Sequence, residues 1–391
     1  MKKYDLILIE PMYWSWSHYN ICTKNLADIL VHAGFKIAVV DYHPEKNFHK
    51  NQNYDIININ IKYPLPNVAN LRVKKGYFYK QLSVHFLLLY KKYRYYSILF
   101  DKIKNLSDNF YFGTLTLDSL PIIFIKNRKR IFFWGFRSFY LGRPFMYFWN
   151  NPLNTIKSLI LRYKILKNDK YKLFVSNDFI KSEFRNIGFS DERLIIRPEY
   201  TLKKLPEIIT IPKGDFNLLS IGFIRREKNL EFALNAIKKT NYKYTIAGLS
   251  RNDYAFQIDK IINDLNPKQF TRINKFLLEN EYYDIIDKSN FIVICDIKSP
   301  SVVSNGTFLD AVFKNRPIIA PNHPPYNYYI NRYNLGILYE TGNEDSFIEA
   351  LNSANILGTS YFAKNFITIQ REHLIDDVSN KLKNKMQTLL S

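Results

Sequence analysis

Short apolar runs alternate with longer segments of helical period along most of the chain, in the order expected of parallel sheets flanked by helices. In the first half, Tyr4–Ile9 reads as a buried strand, and Lys36–Asp41 (KIAVVD) as a second. Tyr54–Ile61, Phe110–Leu117, Arg130–Trp134, Lys172–Val175 and Leu194–Arg197 read as further strands. Between the first two, Ser17 is placed to cap a helix over His18–His32 that ends near Gly34. Tyr77–Leu106 predicts a long helix rich in Tyr, and Ser176 is placed to cap another that runs to Ile187.

Residues 201–216 (TLKKLPEIITIPKGDF) show no clean period, contain two prolines and read as a linker. The alternation then restarts. Strands are predicted at Asn217–Ile221, Tyr242–Ala247, Thr271–Ile273, Phe291–Cys295 and Pro317–Ala320. Helices are predicted at Asn229–Lys239, Phe256–Leu265, Glu281–Lys288, Gly306–Lys314, Asp345–Asn355 and His373–Leu390. The domains expected from this are residues 1–200, 217–372, and a final helix over 373–391 that packs back on the first domain.

Composition sharpens the picture in two places. With 47% hydrophobic residues, the chain is globular and not disordered. Its two cysteines, Cys22 and Cys295, are far apart, so neither a disulfide framework nor a zinc site is expected, and a reducing cytoplasm fits. No run approaches the roughly 18 apolar residues of a membrane span. The net charge of +21 is uneven: residues 1–200 hold 32 Lys+Arg against 15 Asp+Glu, and residues 201–391 hold 24 against 20. Residues 61–100 and 119–168 contain no acidic residue at all. Such a field draws the first half toward polyanions or an anionic membrane surface. Lys74, Lys75, Lys80, Lys91, Lys92 and Arg94 interleave with Tyr77, Tyr79, Tyr90, Tyr93, Tyr95 and Tyr96, a mixture that suits a lipid headgroup boundary. A solvated face would read the same way. No nucleic-acid module is recognisable, and no nucleic-acid partner is expected.

Two segments carry candidate chemistry. In LLSIGFIRREKNLEFALNAI (218–237), an apolar strand runs into Gly222, then Arg225, Arg226 and Lys228, then a helix. Glycine lets backbone approach a phosphate, the helix start offers free N–H groups, and the cations suit a diphosphate. The same residues also fit an ordinary solvated basic turn. In SPSVVSNGTFLDAVFKNRPIIAP (299–321), Ser304, Asn305, Gly306 and Thr307 form a small polar loop after a strand, where open parallel sheets bind nucleotides. Asp310, one turn into the following helix, is placed either to reach a ribose hydroxyl or to face solvent.

The order of these segments resembles the donor domain of GT-B glycosyltransferases, in particular glycosyltransferase family four. Gly222 with Lys228–Asn229, the strand ending at Gly248 (TIAGL), the stretch 276–296, and Asp310–Ala311 followed by Arg316–Ala320 carry the resemblance. It extends loosely to residues 172–188 and 193–199. It implies an α/β chain of GT-B architecture, two Rossmann-like domains with parallel sheets facing across a cleft. It implies transfer of a sugar from a UDP- or GDP-linked donor to a saccharide acceptor, a lipid-linked one, in surface polysaccharide synthesis at the inner face of the cell membrane. Arg225, Arg226 and Lys228 would neutralise the diphosphate leaving group, so no cofactor and no metal is expected. Gly306 and Thr307 would donate N–H groups and Asp310 would hold the ribose.

The chain departs from that pattern in three places. Val302 stands where the family has the first of two glutamates, and Phe223 replaces an arginine after the first glycine. RIFFWGFRS (130–138) lacks the family's histidine and offers Trp134 and Arg137 instead. On the acceptor side, His18 and Arg137 are candidate contacts and Asp118 a candidate general base, each with a plainer reading as a helix-start, loop or turn residue. Asn322 and His323 follow a strand end and are candidates to line the cleft. Another GT-B activity such as sugar-nucleotide epimerisation, or a non-catalytic membrane or nucleic-acid binder with a decayed donor site, remains open at this level.

Overall fold

The computed structural model describes residues 3–10, 18–41, 53–59, 78–126, 128–135, 141, 152–198, 201–206, 216–249, 253–297 and 306–390. The chain divides into two compact units, Met1–Lys203 with Ile375–Ser391, and Lys204–Leu374. Among the described residues no helix is long and apolar enough to cross a membrane.

The first unit is built on seven strands: β1 (Leu6–Ile9), β2 (Ile37–Asp41), β3 (Asp55–Asn58), β4 (Asn109–Thr114), β5 (Arg130–Trp134), β6 (Tyr171–Val175) and β7 (Leu194–Ile196). They pair in parallel in the order β3-β2-β1-β4-β5-β6-β7. β1 and β2 are buried at every position, as LILI and IAVVD require of strands covered on both faces. The helices are α1 (His18–His32), α2 (Phe78–Ile103), α3 (Leu120–Ile123), α4 (Pro152–Leu166) and α5 (Asp178–Ile187). The cap of α5 is Asn177 and not Ser176: the Asn177 side chain accepts from the Ile180 N–H at 2.8 Å. Gly188, at φ +112, closes that helix in the left-handed region.

Two of these helices were not predicted. α3 is a single turn, and α4 lacks any acidic residue in its first turn and carries apolar residues on its exposed face as well as its buried one, which blurs the helical period.

The second unit repeats the plan with β8 (Asn217–Ile221), β9 (Lys243–Ala247), β10 (Phe270–Ile273), β11 (Phe291–Val293), β12 (Ile318–Pro321) and β13 (Gly336–Tyr339). All pairs are parallel, in the order β10-β9-β8-β11-β12-β13. Its helices are α6 (Leu230–Ile237), α7 (Asp253–Asn263), α8 (Glu279–Asp287), α9 (Gly306–Phe313), α10 (Tyr326–Tyr333), α11 (Glu344–Phe362) and α12 (Phe366–Glu372). β13, α10 and α12 were missed in sequence: GILY is only four residues long and opens on glycine, YNYYINRY is poor in strong helix formers, and α12 is only seven residues long. Gly336 is required where it stands, because a Cβ there would overlap the Ile318 carbonyl of β12.

The last helix, α13 (Ile375–Leu390), belongs to the first unit. Its Val378, Leu382 and Met386 join Leu6, Leu8, Leu26, Leu30 and Phe174 in one buried cluster. Each such side chain stabilises the unit by about 1.5–3 kcal/mol on burial. Ser379 Oγ adds a hydrogen bond to the Ile29 carbonyl at 3.1 Å.

Candidate functional site

In each sheet the strand order reverses direction once, between β1 and β4 in the first unit and between β8 and β11 in the second. Ligands of open parallel sheets bind beyond the carboxyl ends of the strands at such a point. In the second unit this is where Gly222 follows β8 and Asp296 closely follows β11.

Gly222 adopts φ +101 and Gly248, after β9, φ +130. A Cβ at Gly248 would overlap the Gly222 carbonyl oxygen and lie 2.8 Å from its carbon, so the two turns touch backbone to backbone. The Gly222 N–H donates to the Ala247 carbonyl at 3.0 Å and locks them together. Gly248→Ala therefore combines strain with overlap and is expected to destabilise the second unit by about 2–5 kcal/mol. Gly342→Ala, at φ +79 in open space, is expected to cost only about 1 kcal/mol. Thermal melts of the two variants measure the difference, and equal melting temperatures would show that the contact between turns is unimportant.

Lys228 and Thr307 meet at one atom. Lys228 Nζ donates to the Ile221 carbonyl at 2.6 Å, and Thr307 Oγ1 to the same oxygen at 3.3 Å. This shared acceptor ties the basic turn to the first residues of α9. Gly306, exposed and with no atom within 4 Å of where a Cβ would stand, opens that helix. The first N–H groups of α9 have no partner within the helix and carry its positive dipole end. A small pocket lies here, lined among others by Ser220, Lys228, Cys295, Asp296 and Thr307. Burial lowers the pKa of Lys228 from its ordinary value; Asp296 opposes that shift and Arg225 adds to it. Burial pushes the Cys295 thiol up to about 12, which keeps it protonated at neutral pH.

Asp310 faces a partner that the sequence did not signal. Its carboxylate accepts from the Tyr282 hydroxyl at 2.9 Å, and Tyr283 also donates to it. Burial pushes the Asp310 carboxyl up to about 6, while the two tyrosines pull it the other way. The pair Tyr282–Tyr283 was legible only as part of a helix. Asp296 was also missed: Tyr326 donates to its carboxylate, and its carbonyl lies 3.1 Å from His323 Nε2. His323 is buried, with Nδ1 at 2.9 Å from the Pro324 carbonyl.

The remaining candidates divide by place. Arg225 is exposed at the turn. Arg226 is exposed too, but its guanidinium lies 5.4 Å from the Tyr254 ring centre and reaches Gln257 Oε1 at 3.4 Å. Ser304 and Asn305, like Val302, lie outside the described residues, as do Arg137 and Ser17. His18 opens α1, and Asp118 lies in the single turn Leu117–Ser119 after β4; their side chains are not among those described. Trp134 ends β5 as a buried ring under the fully buried guanidinium of Arg197, 3.9 Å from the ring centre. Arg197 also donates to the carbonyls of Pro198 and Cys22 at 3.0 and 3.2 Å.

No family model matches the sequence, and no curated protein matches it. Solved structures do. A lipopolysaccharide outer core galactosyltransferase, WaaB, aligns over 100% of both chains with a TM-score of 0.66 at 12% identity. A glycosyltransferase from Rickettsia africae aligns over 100% of this chain and 98% of its own, with a TM-score of 0.65 at 12% identity. The chain has the GT-B fold. HepE from Anabaena, solved in complex with UDP, shares it over 100% of this chain and 99% of its own, with a TM-score of 0.64 at 12% identity. In a GT-B chain each unit is a Rossmann-like sheet, and the turn at Gly222, the lysine behind it and the start of α9 stand at the switch point of the second one.

Proposed function

We propose that the chain is a glycosyltransferase of the family-four type and that its second unit holds the nucleoside diphosphate of a sugar donor. The observation that carries this reading is the junction at the Ile221 carbonyl, which brings Lys228 and the amide-rich start of α9 together at the β8/β11 switch point. Gly222 leaves room for a phosphate against the backbone, and Gly248 holds that turn in place by its close backbone contact. Lys228 and Arg225, with Arg226 at the rim, neutralise charge on the diphosphate; Gly306 and Thr307 donate N–H groups, and Asp310 accepts from a ribose hydroxyl.

In the reaction, the bond between the anomeric carbon and the diphosphate oxygen breaks and its electron pair leaves with the diphosphate. The acceptor hydroxyl forms the new bond and gives up its proton to a base. Lysine and helix-start N–H groups aimed at the leaving oxygen stabilise the charge that develops there. Asp118 is the candidate base, with His18 and Arg137 as acceptor contacts. The acceptor is a saccharide, lipid-linked and destined for a surface polysaccharide. Support for that last step is the basic first unit and a fold shared with a lipopolysaccharide galactosyltransferase.

Calorimetry with UDP and GDP tests the donor site. Binding of one of them with a dissociation constant of about 1–100 μM is expected, and no binding of either at about 1 mM would overturn the reading. A panel of sugar nucleotides scored for hydrolysis and transfer then identifies base and sugar.

A further inference from the structure

The first unit carries an apolar groove that the donor reading does not use. It lies where α3 sits against both α2 and α4, and encloses about 420 Å³. Phe86, Tyr90 and Tyr93 of α2 form one wall, Ile156 and Ile160 of α4 the other, and Phe124 lies at its end. These side chains are open to solvent: Phe86 is 62% exposed, Tyr90 56% and Ile156 52%. Leu87 on α2 and Leu159 and Tyr163 on α4 extend the exposed apolar surface beyond the groove. Contiguous apolar surface of this kind marks a binding face.

Cations stand on the same segments of chain. Lys91 and Arg94 project from the exposed part of α2, Lys126 and Arg128 follow α3, and Lys164 lies on α4, all exposed. The two stretches that supply these residues hold no acidic residue. Lys167 lies 4.5 Å from the Tyr163 ring centre and keeps positive charge beside that aromatic edge.

We infer that this face docks on an anionic lipid bilayer, with the α2–α3–α4 groove taking an acyl chain and the exposed lysines and arginines of the same segments meeting headgroup phosphates. The charge selects the occupant. Two copies joined face to face would bring the same cations together, which opposes a symmetric dimer. The aliphatic wall of Ile156 and Ile160 suits an acyl chain as well as the aromatic wall opposite does, whereas nucleobases would stack on the aromatic wall alone. Aromatic and basic residues on helices that lie flat in an interface suit lipid. The inference concerns the first unit alone and stands whether or not the second binds a nucleotide.

Vesicle flotation of the full chain tests it, with phosphatidylcholine alone or mixed with about 30 mol % phosphatidylglycerol, a strongly anionic surface. Binding to the anionic vesicles only is expected, weakened about tenfold at roughly 0.5 M salt. Phe86→Ser/Ile156→Ser and Lys91→Glu/Arg94→Glu are each expected to weaken it about tenfold, since every changed side chain is exposed and contributes apolar or charge contact. Native Cys22 and Cys295 are buried, so a fluorophore on Ile160→Cys reports the groove; doxyl groups on the acyl chains should quench it. Equal binding by wild type and variants, or a fluorophore untouched by acyl-chain doxyl groups, would overturn the proposal. So would a wild-type dimer that Phe86→Ser/Ile156→Ser dissociates, or an oligonucleotide bound in preference to the vesicles.

Discussion

Lys228→Met is expected to weaken nucleoside diphosphate binding by about 30- to 100-fold, the loss of one charge-assisted contact of roughly 2–3 kcal/mol. The same change is expected to leave the free protein as stable as before or slightly more so. The ammonium is held partly out of water against a carbonyl oxygen, and burial already disfavours its charge. Methionine keeps most of the length and none of that cost. Arg225→Ala makes the contrast: its guanidinium is exposed, so solvent and salt screen it, and a loss of less than about 1 kcal/mol is expected. Calorimetry with UDP and GDP, paired with thermal melts, measures both effects. If Lys228→Met bound as tightly as wild type, the lysine would be no more than a brace for the Ile221 turn. If it bound weakly and also melted early, the loss would reflect a broken turn and not a missing charge.

Asp310→Asn is expected to have the second largest effect, and its size depends on pH. The carboxyl titrates near 6 in the folded chain, against 3.8 ordinarily. The folded state therefore holds its proton more tightly than the unfolded state does. Stability from this group is fully present below pH 3.8 and is lost as pH rises through 6. Discounted for partial exposure, the loss is about 1–2 kcal/mol. Asparagine never ionises, so the variant should melt higher than wild type at pH 7.5 and show no such difference near pH 4.

Ligand binding runs the other way. A ribose hydroxyl donates best to the ionised carboxylate, so affinity for a nucleotide sugar should rise with pH through about 6 in wild type and stay flat in the variant. A nucleotide sugar is the right probe because its diphosphate is a diester and does not titrate in this window. Affinity that is independent of pH between 5 and 8 in wild type would remove Asp310 from the binding site.

The sequence made the scaffold legible because its strands are short, mostly apolar and set between helical periods. LILI, IAVVD and the run at 217–221 could hardly be anything else. It failed where local preference and tertiary role diverge. α4 hides because Ile156, Leu159, Ile160 and Tyr163 put apolar residues on the face away from the core, so no amphipathic stripe points to it. β13 hides behind a glycine that is present for the close approach of Ile318.

Within the candidate site, Gly222, Lys228 and Thr307 were legible one by one, but their meeting at the Ile221 carbonyl was not, since 79 residues separate Lys228 from Thr307. Arg226 shows the limit of reading charge along a string: three cations in four positions look equivalent, and the chain turns one of them onto Tyr254. Tyr282 and Tyr283 left no signal, because hydroxyls that donate to a distant carboxylate look like any aromatic pair on a helix.

The position of α13 sets the order in which the protein can be finished during synthesis. Val378, Leu382 and Met386 complete a core whose other members lie before residue 200, and the whole second unit is translated in between. At roughly 5–20 residues per second, the ribosome leaves the first unit without that helix for about 10–40 s after its last strand has emerged. Throughout that interval the pocket for Leu382 and Met386 is an open apolar surface beside α1, exposed to chaperones and to neighbouring chains. The second unit needs no such late arrival and can close first.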